Sequence, residues 1–202
     1  MTIRTAVLDF DGTLVDSNRL KYEAYFAVFP ADEATRRVIE AVLAEIFEAS
    51  RYEILEEIIR RTTGQEGEAL KARVAEVAAA YNDLVLAGAE TCPEIPGARE
   101  ALELLAAIGI PVYLSSTTPE EFLRPIVAAR GWTGFFREIY GYPRRKEETL
   151  AAIIERENLG PGDVLVVGDG ESDRRSAAAC GTRFLPVRAG RFPLEPLRAV
   201  LA

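Results

Sequence analysis

The chain has 202 residues, of which 49% are hydrophobic and 28% are charged, so it carries enough apolar side chains for a sizeable buried core. Acidic residues outnumber basic ones by 32 to 24, and the formal charge of −8 disfavours a general nucleic-acid binder, which needs a basic surface. The absence of histidine excludes Ser-His-Asp and Cys-His catalysis as well as zinc sites with histidine ligands. Proton transfer near neutral pH must therefore be carried out by carboxylates, lysine, tyrosine or cysteine.

The cysteine content and the hydropathy pattern limit the partners that we expect. Cys92 and Cys180 are the only cysteines and lie outside any CxxC pattern, which argues against a disulfide framework or a structural zinc site. We expect both thiols, together with Trp132, to serve in packing or at the surface. No signal-like segment precedes the first acidic motif, and no apolar run approaches the roughly 18 residues that span a bilayer. We therefore expect no membrane partner, no nucleic-acid partner and a cytoplasmic location.

The first two stretches of the chain differ in kind. Residues 3–10 read as a buried strand, because the apolar run Ala6-Val7-Leu8 stops at an acidic turn. Between Pro30 and Gly88 there is no proline, and apolar residues recur at helical spacing. The recurring positions are Val38, Ile39, Val42, Leu43, Ile46 and Phe47, then Ile54, Leu55, Ile58 and Ile59, then Leu70, Val74, Val77 and Tyr81. We predict a compact helical subdomain with a break at residues 64–67.

From Pro96 onward, strand and helix patterns alternate. Helices are predicted at 97–108, 119–129, 149–157, around 173–179 and at the C-terminus, and strands at 112–114, 138–140, 164–167 and 182–187. Alternating βα units predict the α/β class, with a parallel sheet, right-handed crossovers and helices on both faces. Residues 1–16 and 92–202 are assigned to this core and residues 17–91 to the helical insertion.

Polar side chains follow the ends of several predicted strands, where ligands bind in open parallel sheets. They are Asp9 and Asp11, Ser115, Ser116 and Thr117, Lys146, and Asp169 and Asp173. Four carboxylates at one edge would repel one another unless a cation lies among them, and an oxygen-only ligand set suits Mg²⁺. The lysine and the hydroxyl groups indicate that an anion joins the metal. Together these groups point to phosphoryl transfer.

The run Asp9-Phe10-Asp11-Gly12-Thr13-Leu14-Val15-Asp16-Ser17 resembles the first motif of the haloacid dehalogenase superfamily of phosphatases. Its later motifs follow in order, as a serine after the second strand, a lysine, and Gly168-Asp169 with Asp173. The helical stretch is similar to the cap inserted between the first two motifs in phosphoglycolate phosphatase-like and β-phosphoglucomutase-like members. The resemblance implies a Rossmann-like catalytic core with residues 17–91 as an α-helical cap.

Chemistry and resemblance together suggest a role for each residue of the motifs. Asp9 would be the nucleophile that forms an aspartyl-phosphate, and Asp11 would protonate the leaving alcohol and then deprotonate water. Lys146 would neutralise charge on the phosphate and the nucleophile. Phosphate contacts would come from Ser116, Thr117 and Gly12, with Ser115 as the rival of Ser116. The expected Mg²⁺ ligands are Asp9, Asp11 through its backbone carbonyl, Asp169 and Asp173.

Several alternatives remain open at this level. The leading function is a Mg²⁺-dependent phosphatase for a small phosphorylated metabolite, and a phosphomutase of the β-phosphoglucomutase type is its close rival. A phospho-accepting receiver-like signalling module is the alternative from another class. Asp9 and Asp11 could merely cap a turn, and Ser115, Ser116 and Thr117 could cap the following helix. Lys21 and Arg51 are candidate specificity residues of the cap, or ordinary solvated charges.

Overall fold

The structure is a computed structural model that describes residues 2–46 and 49–201. Phe47, the last residue of the first predicted apolar repeat, lies outside the described residues. The strands are Thr5–Leu8 (β1), Val112–Pro119 (β2), Glu138–Tyr142 (β3), Val164–Gly168 (β4) and Arg183–Pro186 (β5). The α-helices in the described part of the chain are Asn18–Ala27 (α1), Glu33–Ile46 (α2), Arg51–Thr63 (α3), Gly67–Ala89 (α4), Ala98–Ala107 (α5), Glu120–Ala129 (α6), Lys146–Arg156 (α7), Glu171–Cys180 (α8) and Leu194–Leu201 (α9).

The five strands form one parallel sheet in the order β3-β2-β1-β4-β5. Leu8 at the end of β1 pairs with Leu114 on one side and with Val167 on the other. The chain therefore moves outward from β1 in one direction and then returns to add β4 and β5 on the opposite side. This order is that of the Rossmann fold and differs from the 2-1-3-4-5 order of receiver domains. The predicted α/β class is confirmed.

Helices cover both faces of the sheet, and this explains why its central strands are apolar throughout. Every residue of β1 and β4 is buried, as expected for parallel strands between two helical layers. On one face, Val7 and Val166 pack with Leu150 and Ile153 of α7. Helix α8 packs beside α7, whereas α5 contacts β2 and α9.

Residues Asn18–Ala89 form a second compact unit, separate from the unit of Met1–Ser17 and Glu90–Ala202. Its helices α1–α4 enclose an apolar core of their own, which includes Ile39, Leu55, Ile58 and Tyr81. Helix α3 ends at Gly64, which adopts the left-handed φ of 68° and donates its N–H to the carbonyl of Arg60. The helices and the break that the sequence predicts are therefore present. That this unit acts as a cap remains a prediction.

Two elements differ from their predicted bounds. Strand β2 extends to Pro119 instead of ending at Leu114, because the hydroxyl groups of its last residues have buried partners inside the fold. The alternative in which residues 115–117 cap α6 is therefore wrong, since these residues belong to the strand and Pro119 precedes the helix. Helix α7 begins at Lys146, three residues before its predicted start, with the Glu148 carboxylate accepting the N–H of Arg145 at 3.3 Å.

Trp132 is fully buried and packs edge-on against Phe10, with a centroid distance of 6.4 Å. The half-buried Cys92 accepts a hydrogen bond from Arg130, whose guanidinium lies over the tryptophan ring. Burial raises the pKa of both the Cys92 and the Cys180 thiols, which disfavours reactive thiolates. None of the helices in residues 2–46 and 49–201 is long and apolar enough to cross a membrane.

Candidate active site

The loop after β1 carries the first two predicted site residues. Asp9 directly follows β1 and continues its hydrogen bonding to β4, because its N–H donates to the carbonyl of Val167 at 2.9 Å. The chain then turns so that the Leu14 N–H reaches the carbonyl of Phe10 at 2.8 Å. Gly12 makes this turn with a φ of 73°, a conformation that residues with a side chain rarely adopt. The structure thus gives Gly12 a conformational role, and its phosphate contact stays a prediction.

Three of the predicted carboxylates converge at the carboxyl edge of the sheet. Asp9, Asp169 and Asp173 each place an oxygen within 4.8 Å of the oxygens of the other two. Asp9 and Asp169 meet because they directly follow β1 and β4, which are adjacent strands at the point where the strand order reverses. Asp173 joins them from the first turn of α8. The three carboxylates therefore lie together because β1 pairs with β4 and because α8 begins shortly after β4.

Lys146 lies between two of these carboxylates. Its Nζ is 3.0 Å from Oδ1 of Asp9 and 2.7 Å from Oδ1 of Asp173, and all three side chains are buried. Burial alone would lower the pKa of Lys146, but the charges of Asp9 and Asp173 outweigh it and raise that pKa above its usual range. The lysine therefore remains an ammonium group inside the site.

The single ammonium group leaves the cluster with excess negative charge. Burial, and then the charge of Asp9, raise the pKa of Asp173 to about 7 against the opposing effect of Lys146. Burial likewise raises the pKa of Asp9, opposed by Lys146. Oδ2 of Asp173 is buried without a hydrogen-bond partner, which is costly for a carboxylate oxygen. A divalent cation with oxygen ligands fits this cluster, because it would compensate the excess negative charge of the three carboxylates.

The carboxylate of Asp11 lies outside this cluster and is held by hydroxyl groups. Ser17 donates to its Oδ1 at 2.5 Å, while Thr118 at 2.8 Å and Ser116 at 3.3 Å donate to its Oδ2. Sequence reasoning missed Ser17 and Thr118. The available signal was the period of two along an extended strand, which puts Ser116 and Thr118 on one face and turns the exposed Thr117 away.

The neighbouring hydroxyl residues separate by the same alternation. Ser115 faces a crevice lined by Lys146, Asp173 and Ser176, whereas Ser116 lies beside Asp11. Another hydroxyl that the sequence reasoning left unassigned belongs to Thr13, which donates to Oδ1 of Asp169 at 3.2 Å. Which serine contacts phosphate stays a prediction, as do the contact of Thr117 and the backbone contribution of Asp11 to a metal.

A family model described as haloacid dehalogenase-like hydrolase matches residues 3–181. The chain belongs to this hydrolase family. The family match confirms the resemblance carried by the motifs and shows that the protein is a hydrolase.

Individual relatives of this haloacid dehalogenase-like hydrolase are distant. A phosphoglycolate phosphatase from Psychrobacter arcticus is 25% identical over 174 residues, which is 83% of this chain and 75% of that protein. A phosphoglycolate phosphatase from Pseudomonas putida is 30% identical over 109 residues, which is 52% of this chain but only 40% of that protein. A protein described as HAD-hydrolase YfnB from Bacillus subtilis, solved bound to magnesium, has a TM-score of 0.75 and 16% identity. That match covers 100% of this chain and 99% of that one, and it shows the shared fold alone.

The two predicted specificity residues of this hydrolase belong to the helical unit. Arg51 is buried, donates to Oδ1 of Asn82 at 2.5 Å and lies 5.3 Å from the centroid of the Tyr81 ring. The backbone carbonyl of Lys21 accepts a hydrogen bond from the hydroxyl of Tyr81 at 3.2 Å. Arg51 is thus not an ordinary solvated charge. Contact of either residue with a substrate stays a prediction.

Gly168 at the end of β4 leaves the room that Asp173 needs. A Cβ at this position would lie 2.2 Å from Cγ of Asp173, so Gly168→Ala must displace the carboxylate or the strand end. We expect the variant to lose about 1–3 kcal/mol of unfolding free energy in urea denaturation, as for other overpacked sites. Gly134→Ala is the matched control, because a Cβ there meets nothing within 4 Å. Equal stability of both variants would contradict the close approach.

Proposed function

We propose that this hydrolase is a Mg²⁺-dependent phosphatase that hydrolyses a small phosphate monoester through an aspartyl-phosphate intermediate. The observation that carries the proposal is the buried Lys146 ammonium between Asp9 and Asp173, beside the third carboxylate of Asp169. Such a site pairs a nucleophilic carboxylate with positive charge for a phosphate and with ligands for a hard cation. The phosphoglycolate phosphatases among the relatives support the same reaction class.

In the first half-reaction, a carboxylate oxygen of Asp9 attacks phosphorus and the bond from phosphorus to the leaving oxygen breaks. The Asp11 carboxyl donates its proton to that oxygen, so the product alcohol departs neutral. In the second half-reaction, Asp11 takes a proton from water as the water oxygen bonds to phosphorus. The bond between phosphorus and Asp9 then breaks, which releases inorganic phosphate and restores both aspartates.

The remaining groups of the site would bind and orient the phosphate. Lys146 would offset the negative charge where the phosphate meets Asp9, and Ser116, Thr117 and Gly12 would contribute hydrogen-bond donors. Asp9, Asp169 and Asp173, with the Asp11 carbonyl, would hold the cation. When bound, Mg²⁺ would supply Lewis-acid polarisation of the phosphoryl oxygens.

The substrate class follows from the chemistry of the site and from the names of the relatives. The buried Lys146 ammonium and the hydroxyl groups near it suit one phosphate monoester, and phosphoglycolate is the first candidate because the relatives are named phosphoglycolate phosphatases. We further propose, from the family resemblance, that Lys21 and Arg51 contribute to the choice of leaving group.

A panel of phosphorylated metabolites tests this function. With Mg²⁺ we expect phosphate release from 2-phosphoglycolate or another small monoester, its loss in EDTA, and its return when Mg²⁺ is restored. Product analysis by NMR separates free phosphate from a phosphate returned to a sugar, as a mutase would produce. Without substrate, Mg²⁺ alone should raise the melting temperature of the protein, and Asp169→Asn should abolish that rise. Unchanged turnover in EDTA, or no release from any monoester, would contradict the proposal.

A further inference from the structure

The carboxylate of Asp11 has its orientation set by hydroxyl groups on both of its oxygens. Ser17 contacts Oδ1 at 2.5 Å, and Thr118 contacts Oδ2 at 2.8 Å with Ser116 at 3.3 Å. The terminal torsion of an aspartate is otherwise broad, because rotation of a carboxylate about its last bond meets little resistance. The hydroxyl contacts therefore restrict the rotation of this buried carboxylate.

The end of β2 is shaped so that Thr118 reaches Asp11. The register between β2 and β3 shifts between Ser115 and Pro119, and the N–H of Thr118 donates to Oγ of Ser116 at 3.0 Å. Gly141 on β3 allows the strand end to come close, since a Cβ there would lie 2.5 Å from the carbonyl oxygen of Thr118. The regular pairing of β2 with β3 is thus interrupted at this point, and the Thr118 side chain is directed toward the Asp11 carboxylate.

We propose that Thr118 is a positioning residue that holds the Asp11 carboxyl in line for proton transfer to and from the reacting oxygens. This inference rests on the proposed function, in which Asp11 serves first as acid and then as base. A hydroxyl group suits both stages, because it can donate to the carboxylate and can also accept from the protonated carboxyl. Thr118 acts through Asp11 and needs no contact with the substrate.

The role predicts a dependence on the leaving group. An alkyl alcohol must be protonated as it departs, so alkyl phosphates need a well-oriented Asp11 in the first half-reaction. The nitrophenolate of p-nitrophenyl phosphate departs as its anion and does not need that proton. The value of kcat/KM reports the steps up to the first irreversible one, which here is the first half-reaction. A loss of kcat/KM for the alkyl phosphate alone therefore indicates a defect in proton donation. Substitution of a residue that only fills space would change kcat/KM for both substrates alike.

The experiment compares the two substrates in Thr118→Val, with Asp11→Asn as reference. For Thr118→Val we expect kcat/KM for the alkyl phosphate to fall on the order of 10–100-fold, while that for p-nitrophenyl phosphate changes by less than about 3-fold. Stopped-flow should show a burst of nitrophenol, because the aspartyl-phosphate accumulates when Asp11 activates water poorly. Thr118→Ser keeps the hydroxyl and should recover most of the alkyl activity.

Controls separate this role from general damage to the fold. Thr182→Val removes a hydroxyl that donates to the Ala177 carbonyl at 3.3 Å in the same unit, and it should leave both substrates unaffected. If Thr118→Val fails to fold, Thr118→Ala, which also lacks the hydroxyl, gives the same comparison. Gly141→Ala keeps every hydroxyl but displaces the end of β2, so it should lose kcat/KM for the alkyl phosphate and keep that for p-nitrophenyl phosphate, as Thr118→Val does.

The outcomes distinguish the inference from the proposed function. Equal losses of kcat/KM on both substrates in Thr118→Val, or no recovery in Thr118→Ser, would overturn the positioning role. The proposed phosphatase function would still stand. If Asp11→Asn itself showed no preference between the two substrates, the acid role of Asp11 would fail, and the proposed function would need revision together with this inference.

Discussion

Asp9→Asn is expected to abolish phosphate release, with kcat lower by about 10⁴-fold or more. The amide nitrogen and oxygen of asparagine cannot displace the leaving group from phosphorus, and the substitution also removes the negative charge of the group that lies 3.0 Å from the Lys146 ammonium. Acid-quenched reactions followed by mass spectrometry should trap a phosphorylated peptide containing Asp9 in the parent protein. The variant should yield none.

Glu103→Gln is the control for this experiment, because it removes one carboxylate charge from an exposed position on α5 in the same unit. Its activity and its trapped phosphopeptide should match those of the parent protein. Residual activity of Asp9→Asn near that of the control would contradict a covalent mechanism. Hydrolysis by direct attack of water would then be the remaining explanation.

Lys146→Met is expected to lower the unfolding free energy of the metal-free protein by about 3 kcal/mol or more and to remove activity. The substitution leaves the buried carboxylates of Asp9 and Asp173 without the ammonium that lies within 3.0 Å of both. Urea denaturation in EDTA measures the loss. Fluorescence of Trp132 is a suitable signal, because it is the only tryptophan of the chain and lies in the same unit as Lys146.

Arg198→Met removes a charge from an ion pair with Glu195 whose two side chains are 55% and 81% exposed. Exposed pairs contribute about 1 kcal/mol or less, so the Trp132 signal should show little change in this variant. Similar unfolding midpoints for Lys146→Met and Arg198→Met would mean that the buried ammonium does not stabilise the acidic cluster. Its electrostatic role in the site would then have to be abandoned.

Much of the site could be predicted because several of its residues directly follow strands. Asp9 and Asp169 follow the apolar runs of β1 and β4, so the sheet edge at which they meet depends only on strand pattern and parallel pairing. Lys146 is harder to predict, because α7 begins at this lysine, three residues before the helix start that the apolar pattern indicates. The acidic first turn explains why the helix begins at the lysine.

The environment of Asp11 was not predictable from the pattern alone. The polar run at residues 115–118 resembles the loop after a short strand, and only the buried partners of its hydroxyl groups show that it stays extended. Thr118 is therefore invisible as a site residue until the register shift against β3 is known. Arg51 shows the same limit, because a charge at a helix start reads as solvated until its contact with Asn82 is seen.

The pairing of Leu8 with Val167 makes the spacing of the site independent of the helical insertion. Asp9 and Asp169 follow β1 and β4, which lie about 4.8 Å apart. The backbone hydrogen bonds between the strands set this distance, and the residues inserted between Ser17 and Glu90 take no part in them. The insertion leaves the chain after Ser17 and rejoins it before Glu90, outside the paired strands. An insertion of different length or sequence at this point would therefore leave the spacing of Asp9 and Asp169 unchanged.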